Sequence, residues 1–257
     1  SKLSLAAGGI FVYFDQTELD QSSSEFNPQL ALAWQATDRL SFHASAAERT
    51  RFPKLRELYR RRYGNPDLDP QTAVNTELGM LFQHHDGWRS DFSVFHSKID
   101  GLIERAHRRA KYSNFDRVTI SGVEMATSIS TADRFLMRLD YSYIDASEDL
   151  PEGGSRQLRS RPKNTALAEL RYLFPGAVSV SFNGIYVSGL YDLDADDVYT
   201  RVPSYFVSSI KATWAFSENY EAYLAVSNLG DTDYLHRFGD PREGRRLMLG
   251  LNFGYGL

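Results

Sequence analysis

Leu247-Met248-Leu249-Gly250-Leu251-Asn252-Phe253-Gly254-Tyr255-Gly256-Leu257 alternates to the last residue. Leu247, Leu249, Leu251, Phe253, Tyr255 and Leu257 form one wholly apolar face. Met248, Gly250, Asn252, Gly254 and Gly256 form the other, which is small or polar apart from the methionine. A period of two is the strand period. About 9–11 residues is also what a tilted strand needs to cross a bilayer. A soluble sandwich strand is usually shorter and carries fewer large apolar residues on one face. The pattern suits a strand with lipid on one side and a barrel interior on the other, which makes this the expected barrel-closing strand.

Eleven further segments show the same parity, giving about twelve strands over residues 1–257 as one barrel domain. Leu3, Leu5, Ala7, Phe11 and Tyr13 open the series, and Leu30, Leu32 and Trp34 follow. Phe135, Met137, Leu139, Tyr141 and Tyr143 form a middle member. The connections sort by length. Ala36–Arg39, His84–Gly87, Thr131–Arg134, Phe174–Gly176 and Phe216–Asn219 are tight turns. They alternate with long loops expected at Asp15–Phe26, Thr50–Thr72, Glu104–Arg117, Asp145–Arg161, Val187–Val202 and Asn228–Gly244. Outer-membrane barrels sort connections this way, with short turns in the periplasm and long loops outside. The fold class expected is therefore all-β, a transmembrane antiparallel β-barrel of the bacterial outer membrane.

Composition agrees. The formal charge of -4 argues against nucleic acid as a partner. No cysteine is present, so no disulfide framework or thiolate metal site is expected. No apolar run is long enough for a transmembrane helix. A mean hydropathy of -0.41 is compatible with a barrel, because half of every strand faces water or a polar lumen. Fifteen tyrosines and sixteen phenylalanines suit interfacial girdles. There is no signal peptide at Ser1, so an exported protein is expected here as a mature form or a fragment.

Phe52-Pro53, Glu57-Leu58-Tyr59, Gly64-Asn65-Pro66-Asp67-Leu68-Asp69-Pro70, then Asn75, Glu77, Leu78 and Gly79, resemble the barrel of TonB-dependent receptors. So do Tyr112, Asn114 and Ile120-Ser121-Gly122-Val123-Glu124. The same holds for Val226-Ser227-Asn228-Leu229-Gly230-Asp231 with Tyr234, Pro241 and Gly244-Arg245-Arg246. Gln71 stands where that family commonly has Glu. The C-terminus resembles the closing strands of outer-membrane barrels, which usually end in Phe or Trp rather than Leu257. The resemblance implies the C-terminal part of a 22-stranded barrel whose plug and earlier strands are not in this sequence. It implies energised uptake of a scarce nutrient such as a ferric siderophore, haem or cobalamin. A periplasmic TonB-type partner would act through the plug. The alternative is a self-closed smaller barrel acting as a passive pore or an assembly subunit, or pairing with a second chain that supplies strands.

Candidate sites lie in the loops. Arg51, Arg56, Arg60, Arg61 and Arg62 make Thr50–Thr72 basic, fit to attract an anionic ligand by their field. The same arginines suit lipopolysaccharide phosphates, or pairing with Glu48 and Glu57. Gly64-Asn65-Pro66 reads as turn chemistry, and Pro66 and Pro70 are expected to keep the loop out of any helix. Asp192, Asp194, Asp196 and Asp197 have the odd spacing of a calcium-loop start, and cobalamin-type relatives use such loops for calcium. Calcium needs six to eight oxygens, however, and no distal glutamate completes the set. No resident cofactor is otherwise expected. A lipid-facing serine–histidine enzyme is the competing class. His43 and Ser45 share a face, but it is the polar one, and no third group completes a triad. Membrane lipids and lipopolysaccharide are the expected surroundings.

Overall fold

The computed structural model describes residues 2–16, 21–107, 109–131, 134–150 and 153–254. Fifteen strands and one short helix follow in order. They are β1 (Lys2–Gln16), β2 (Gln21–Gln35), β3 (Leu40–Arg51), α1 (Leu55–Tyr59), β4 (Gln71–His85), β5 (Trp88–Arg105), β6 (Tyr112–Thr131) and β7 (Phe135–Asp149). Then come β8 (Ser155–Gln157), β9 (Asn164–Phe174), β10 (Val178–Ser188), β11 (Tyr191–Leu193), β12 (Tyr199–Arg201), β13 (Tyr205–Ser217), β14 (Tyr220–Ser227) and β15 (Arg246–Phe253). Twelve of these pair as an antiparallel meander, β1-β2-β3-β4-β5-β6-β7-β9-β10-β13-β14-β15. They are the twelve segments that the parity of the sequence marks out. Short β8 adds to β7, and β11 pairs only with β12. Among the described residues β1 and β15 are the two ends of this path.

Register explains the parity. Leu3 faces Trp34, Leu5 faces Leu32, and Phe11 faces Phe26 across β1 and β2. At the other end Leu249 faces Leu224 and Leu251 faces Ala222. These side chains are open to their surroundings, with Leu249 at 76% and Leu3 at 68% exposure. A continuous apolar face of this kind far exceeds the few hundred Å² a soluble monomer tolerates; against acyl chains it is the solvated face. Tyr255 and Leu257 of the expected closing strand fall outside the described residues.

Four expectations are corrected. The loops at Asp15–Phe26, Glu104–Arg117 and Asp145–Arg161 are shorter than expected, because β1 runs to Gln16, β2 starts at Gln21, and β5, β6 and β7 end at Arg105, start at Tyr112 and end at Asp149. Ladder hydrogen bonds do not require apolar side chains, so pairing continues past the lipid-facing band. Ser23 opposite Phe14 and Ser24 opposite Tyr13 are such pairs. The loop after β3 also does contain a helix, α1: Pro53 precedes the helical turn, where a missing N–H costs nothing.

Two compact units share the chain. One comprises Ser1–Leu81, Ser93–Val123 and Ile144–Arg159; the other Phe82–Phe92, Glu124–Tyr143 and Ser160–Leu257. The first holds two small cores of the kind soluble proteins use. Leu58, Leu68 and Ile103 pack with Tyr112, while Val118, Ala146 and Leu158 pack with Ile99, Phe115 and Ile144. All lie toward the long-loop ends of their strands, where water rather than lipid is the medium and burial is favourable.

Candidate functional site

The loop between β3 and β4 is built in three layers. Arg51, the last residue of β3, donates from Nη1 to Glu57 Oε2 at 2.9 Å, and the backbone N–H of Lys54 donates to the same oxygen at 2.9 Å. Glu57 is buried, so the helix start is held by a partnered carboxylate. The other face of Arg51 donates to Gln71 Oε1, which also accepts from the Ile103 amide at 3.4 Å. The amide carbonyl of Gln71 therefore does what a carboxylate would do at that position, without adding charge.

After α1 the chain turns on Arg60, whose carbonyl accepts from Tyr63 and Gly64. Gly64 has no room for a Cβ, which would lie 2.5 Å from the Leu58 carbonyl oxygen. Asn65 Nδ2 donates to the Tyr112 carbonyl and Asn65 Oδ1 accepts from Asp67 N–H. Asn114 completes the seam: Oδ1 accepts from Asp69 N–H, and Nδ2 donates to the carbonyls of Asp69 and Gly101. The Gly64-Asn65-Pro66 run thus has the turn role expected, and it stitches the loop to β5 and β6.

That stitching assembles a positive cluster. The guanidinium carbons of Arg60, Arg62 and Arg105 lie 5.5, 5.4 and 4.6 Å from the centre of the Tyr63 ring, within cation–π range, and Arg105 also lies 5.7 Å from the Tyr112 ring. Arg56, Arg60, Arg61 and Arg62 are exposed, and among the described residues none forms an ion pair. Arg51, by contrast, is half-buried and held by Glu57. Beside the same loop, a cavity of about 470 Å³ is lined by Phe14, Ser22, Ser23, Phe52, Leu58 and Asp69. Phe14 and Phe52 stack in it at 5.0 Å. Tyr63, Arg105 and the Phe14–Phe52 pair carried no signal of their own in the sequence. Each matters through a partner far along the chain.

The acidic loop is a hairpin. Asp194 Oδ1 accepts from the amides of Asp196 and Val198, and its Oδ2 from the Thr200 hydroxyl. Buried Asp192 accepts from the Leu193 amide. Asp194 is thus engaged in its own turn, and among the described residues no group of three or more carboxylates or imidazoles is gathered that could hold a cation. Asp192, Asp194, Asp196 and Asp197 therefore do not converge as the calcium expectation required.

In the second unit, the polar face of β7, β9, β10, β13 and β14 carries a cavity of about 620 Å³ that includes Arg138, Asp140, Glu169, Asn183, Tyr234 and Arg246. Arg138 donates to both oxygens of Asp140. Its rim is closed by Asn228, which accepts from the Thr232 amide and donates to the carbonyls of Thr232 and Glu243. Asp231 Oδ1 takes the Arg245 amide. The Ser227-Asn228-Leu229-Gly230-Asp231 motif is in this way a clasp on the last loop. His43 pairs with Glu77 at 3.0 Å and not with Ser45, lying over Gly79, where a Cβ would overlap its ring.

An apolar outward face, a polar inward face and folded long loops define an outer-membrane β-barrel of the receptor type. The model of the TonB dependent receptor-like β-barrel matches residues 1–229, and the chain belongs to that family. It is 28% identical over 216 residues to the vitamin B12 transporter BtuB of Photobacterium profundum, covering 80% of this chain and 34% of that protein. It is 23% identical over 261 residues to the iron-regulated outer membrane virulence protein of Vibrio cholerae, covering 90% and 40%. The fold matches the FrpB iron transporter of Neisseria meningitidis (F5-1 variant, apoprotein form) with a TM-score of 0.76 at 20% identity, over 98% of this chain and 43% of that one. The chain thus spans between 26% and 40% of the length of the curated relatives it matches.

Proposed function

We propose that the complete protein imports a scarce nutrient across the outer membrane and that its mouth selects an anionic form, a ferric siderophore before cobalamin. The observation that carries this reading is the cluster of Arg60, Arg62 and Arg105 around Tyr63, with Arg61 and Arg56 exposed on the same loop. Guanidiniums repel one another, and Arg56, Arg60, Arg61 and Arg62 make no ion pair among the described residues, so an anion at this loop would relieve that repulsion. The class of activity is transport rather than catalysis, in keeping with the BtuB and FrpB names of its relatives. Energy would come from a TonB-type partner acting on a plug. The unpaired edges of β1 and β15, which cannot persist in lipid, would be covered by further barrel strands.

The test is uptake and binding of a ferric siderophore of net negative charge against cyanocobalamin, in the wild type and in the Arg60→Ala/Arg61→Ala/Arg62→Ala variant. The variant should lose anionic-ligand affinity at low salt and converge on wild type at high salt. Unchanged affinity at low salt would reject the role. If the arginines serve lipopolysaccharide phosphates instead, the variant keeps its ligand affinity and loses bound lipopolysaccharide.

A further inference from the structure

The lipid-facing wall of the second unit is not uniformly apolar, and the departure is organised. Tyr141, Ala166, Tyr186 and Phe206 form one outward rung across β7, β9, β10 and β13, and Leu139, Ala168, Gly184 and Ser208 form the next. Ala168 and Gly184 are small where their neighbours are large, and the result is a groove of about 580 Å³ on the outward face. On the outward parity its lining is apolar except at one end, where Ser90 and Thr127 enter it; Asp91 and Asp140 also border it, from positions whose parity belongs to the polar face.

Those two hydroxyls belong to a cluster at the short-turn end of β4, β5 and β6. Ser90 Oγ lies 3.0 Å from Thr127 Oγ1, the Trp88 indole N–H donates to Thr127 at 3.1 Å, and His84 Nε2 lies 3.0 Å from Ser90 Oγ. The His84 ring stacks on Trp88 at 4.0 Å. Ser90, Thr127 and His84 all occupy the parity that elsewhere carries Val, Leu, Met and Phe. Exposed Arg134 sits in the turn that joins β6 to β7, the strands beside the groove, and makes no ion pair among the described residues. An apolar trough thus runs from the middle of the wall to an amphipathic, partly basic patch at the periplasmic interface.

We propose that this groove is a binding site for one phospholipid of the periplasmic leaflet. An acyl chain fills the space over Ala168 and Gly184, the ester and glycerol level meets the Ser90–Thr127–Trp88 cluster, and the phosphodiester is met by Arg134 and His84. The groove is continuous with the surface that acyl chains already solvate, and its single polar end lies where a headgroup must lie. A protein partner would need a matching ridge and would leave the Ser90 and Thr127 oxygens against apolar atoms; a lipid places its own polar atoms there.

The test uses the protein in the length in which the outer membrane holds it, reconstituted in vesicles, with every tryptophan other than Trp88 replaced by phenylalanine, Trp34→Phe and Trp214→Phe among them. Its fluorescence is titrated with phosphatidylglycerol carrying brominated chains, and separately with diacylglycerol carrying the same chains. Half-maximal quenching by the phospholipid should come at a mole fraction roughly tenfold below that for diacylglycerol. Ala168→Leu, which fills the groove with an apolar side chain on an apolar face, should abolish the early saturation. Arg134→Glu, a turn-surface change, should remove the preference for the phospholipid while leaving the barrel folded. Quenching that rises in simple proportion to bulk mole fraction in the unmodified groove would overturn the proposal. So would early saturation that survives Ala168→Leu, or a preference that survives Arg134→Glu.

Discussion

Leu251 and Asn252 are neighbours in β15 and point to opposite faces, so the same substitution at each should have opposite consequences. Leu251 is 61% exposed and faces Ala222 across the ladder. The Asn252 amide meets the Glu221 carboxylate on the polar face. Five residues separate Arg246 from Leu251, about 17 Å along a strand at roughly 3.4 Å per residue. A tilt of about 45° turns that into about 12 Å of depth, half of an apolar band about 25 Å tall. Leu251 is therefore near the midplane, where an arginine on the lipid face costs roughly 2–4 kcal/mol. Asn252→Arg places the same charge beside Glu221 in the polar interior, and its cost should stay below about 1 kcal/mol. Equilibrium refolding into lipid vesicles, read by the mobility of folded protein in cold SDS gels, measures both. Equal costs for the two variants, or a larger one for Asn252→Arg, would refute the assignment of faces on which the fold argument rests.

Other consequences are local. Gly64→Ala should push the loop off α1, because the new Cβ meets the Leu58 carbonyl, and limited proteolysis between residues 52 and 70 should speed up while barrel refolding stays unchanged. Asn114→Ala removes three hydrogen bonds to Asp69 and Gly101, and at about 1 kcal/mol each the seam should open; hydrogen exchange at the Asp69 amide reads this directly. Asn228→Ala leaves the Thr232 amide and two carbonyls without their partner, so the last loop should be cleaved faster by protease while Asp231→Ala gives a weaker version of the same effect.

The parity of apolar residues marks the meander because lipid imposes it on every spanning strand, and the C-terminal strand shows it most cleanly. Where the strands leave lipid that pressure ends. Ser22, Ser23 and Ser24 look like a loop in sequence but lie in β2, since a ladder in water requires only backbone. The three-residue strands β8, β11 and β12 are too short to have a period at all. α1 was hidden by the prolines around it and by Lys54 at the N-cap, which has no side-chain acceptor, so only the Glu57 half of a capping pair is present. At the site, the arginine run was legible as charge, whereas its geometry was not. Arg105 reaches Tyr63 from more than forty residues away, and β5 and β6 are brought to the loop by the Asn65 and Asn114 contacts, the Tyr112 amide on the Tyr63 carbonyl and the small core of Leu58, Leu68 and Ile103.

The over-length strands have a practical side. At about 3.3 Å per residue, the twenty residues of β6 extend about 65 Å, and a tilt of about 45° leaves roughly 20 Å of height beyond the apolar band. Paired strands of that height are stiff posts that carry the loop tips well beyond the apolar band. Gly153 and Gly154, at the crest beyond β7, have nothing within 4 Å of where a side chain would begin. An epitope or dye-accepting cysteine inserted there would stand clear of the membrane. It would let antibodies or fluorophores count correctly inserted copies on living cells without touching the arginine-bearing loop between β3 and β4.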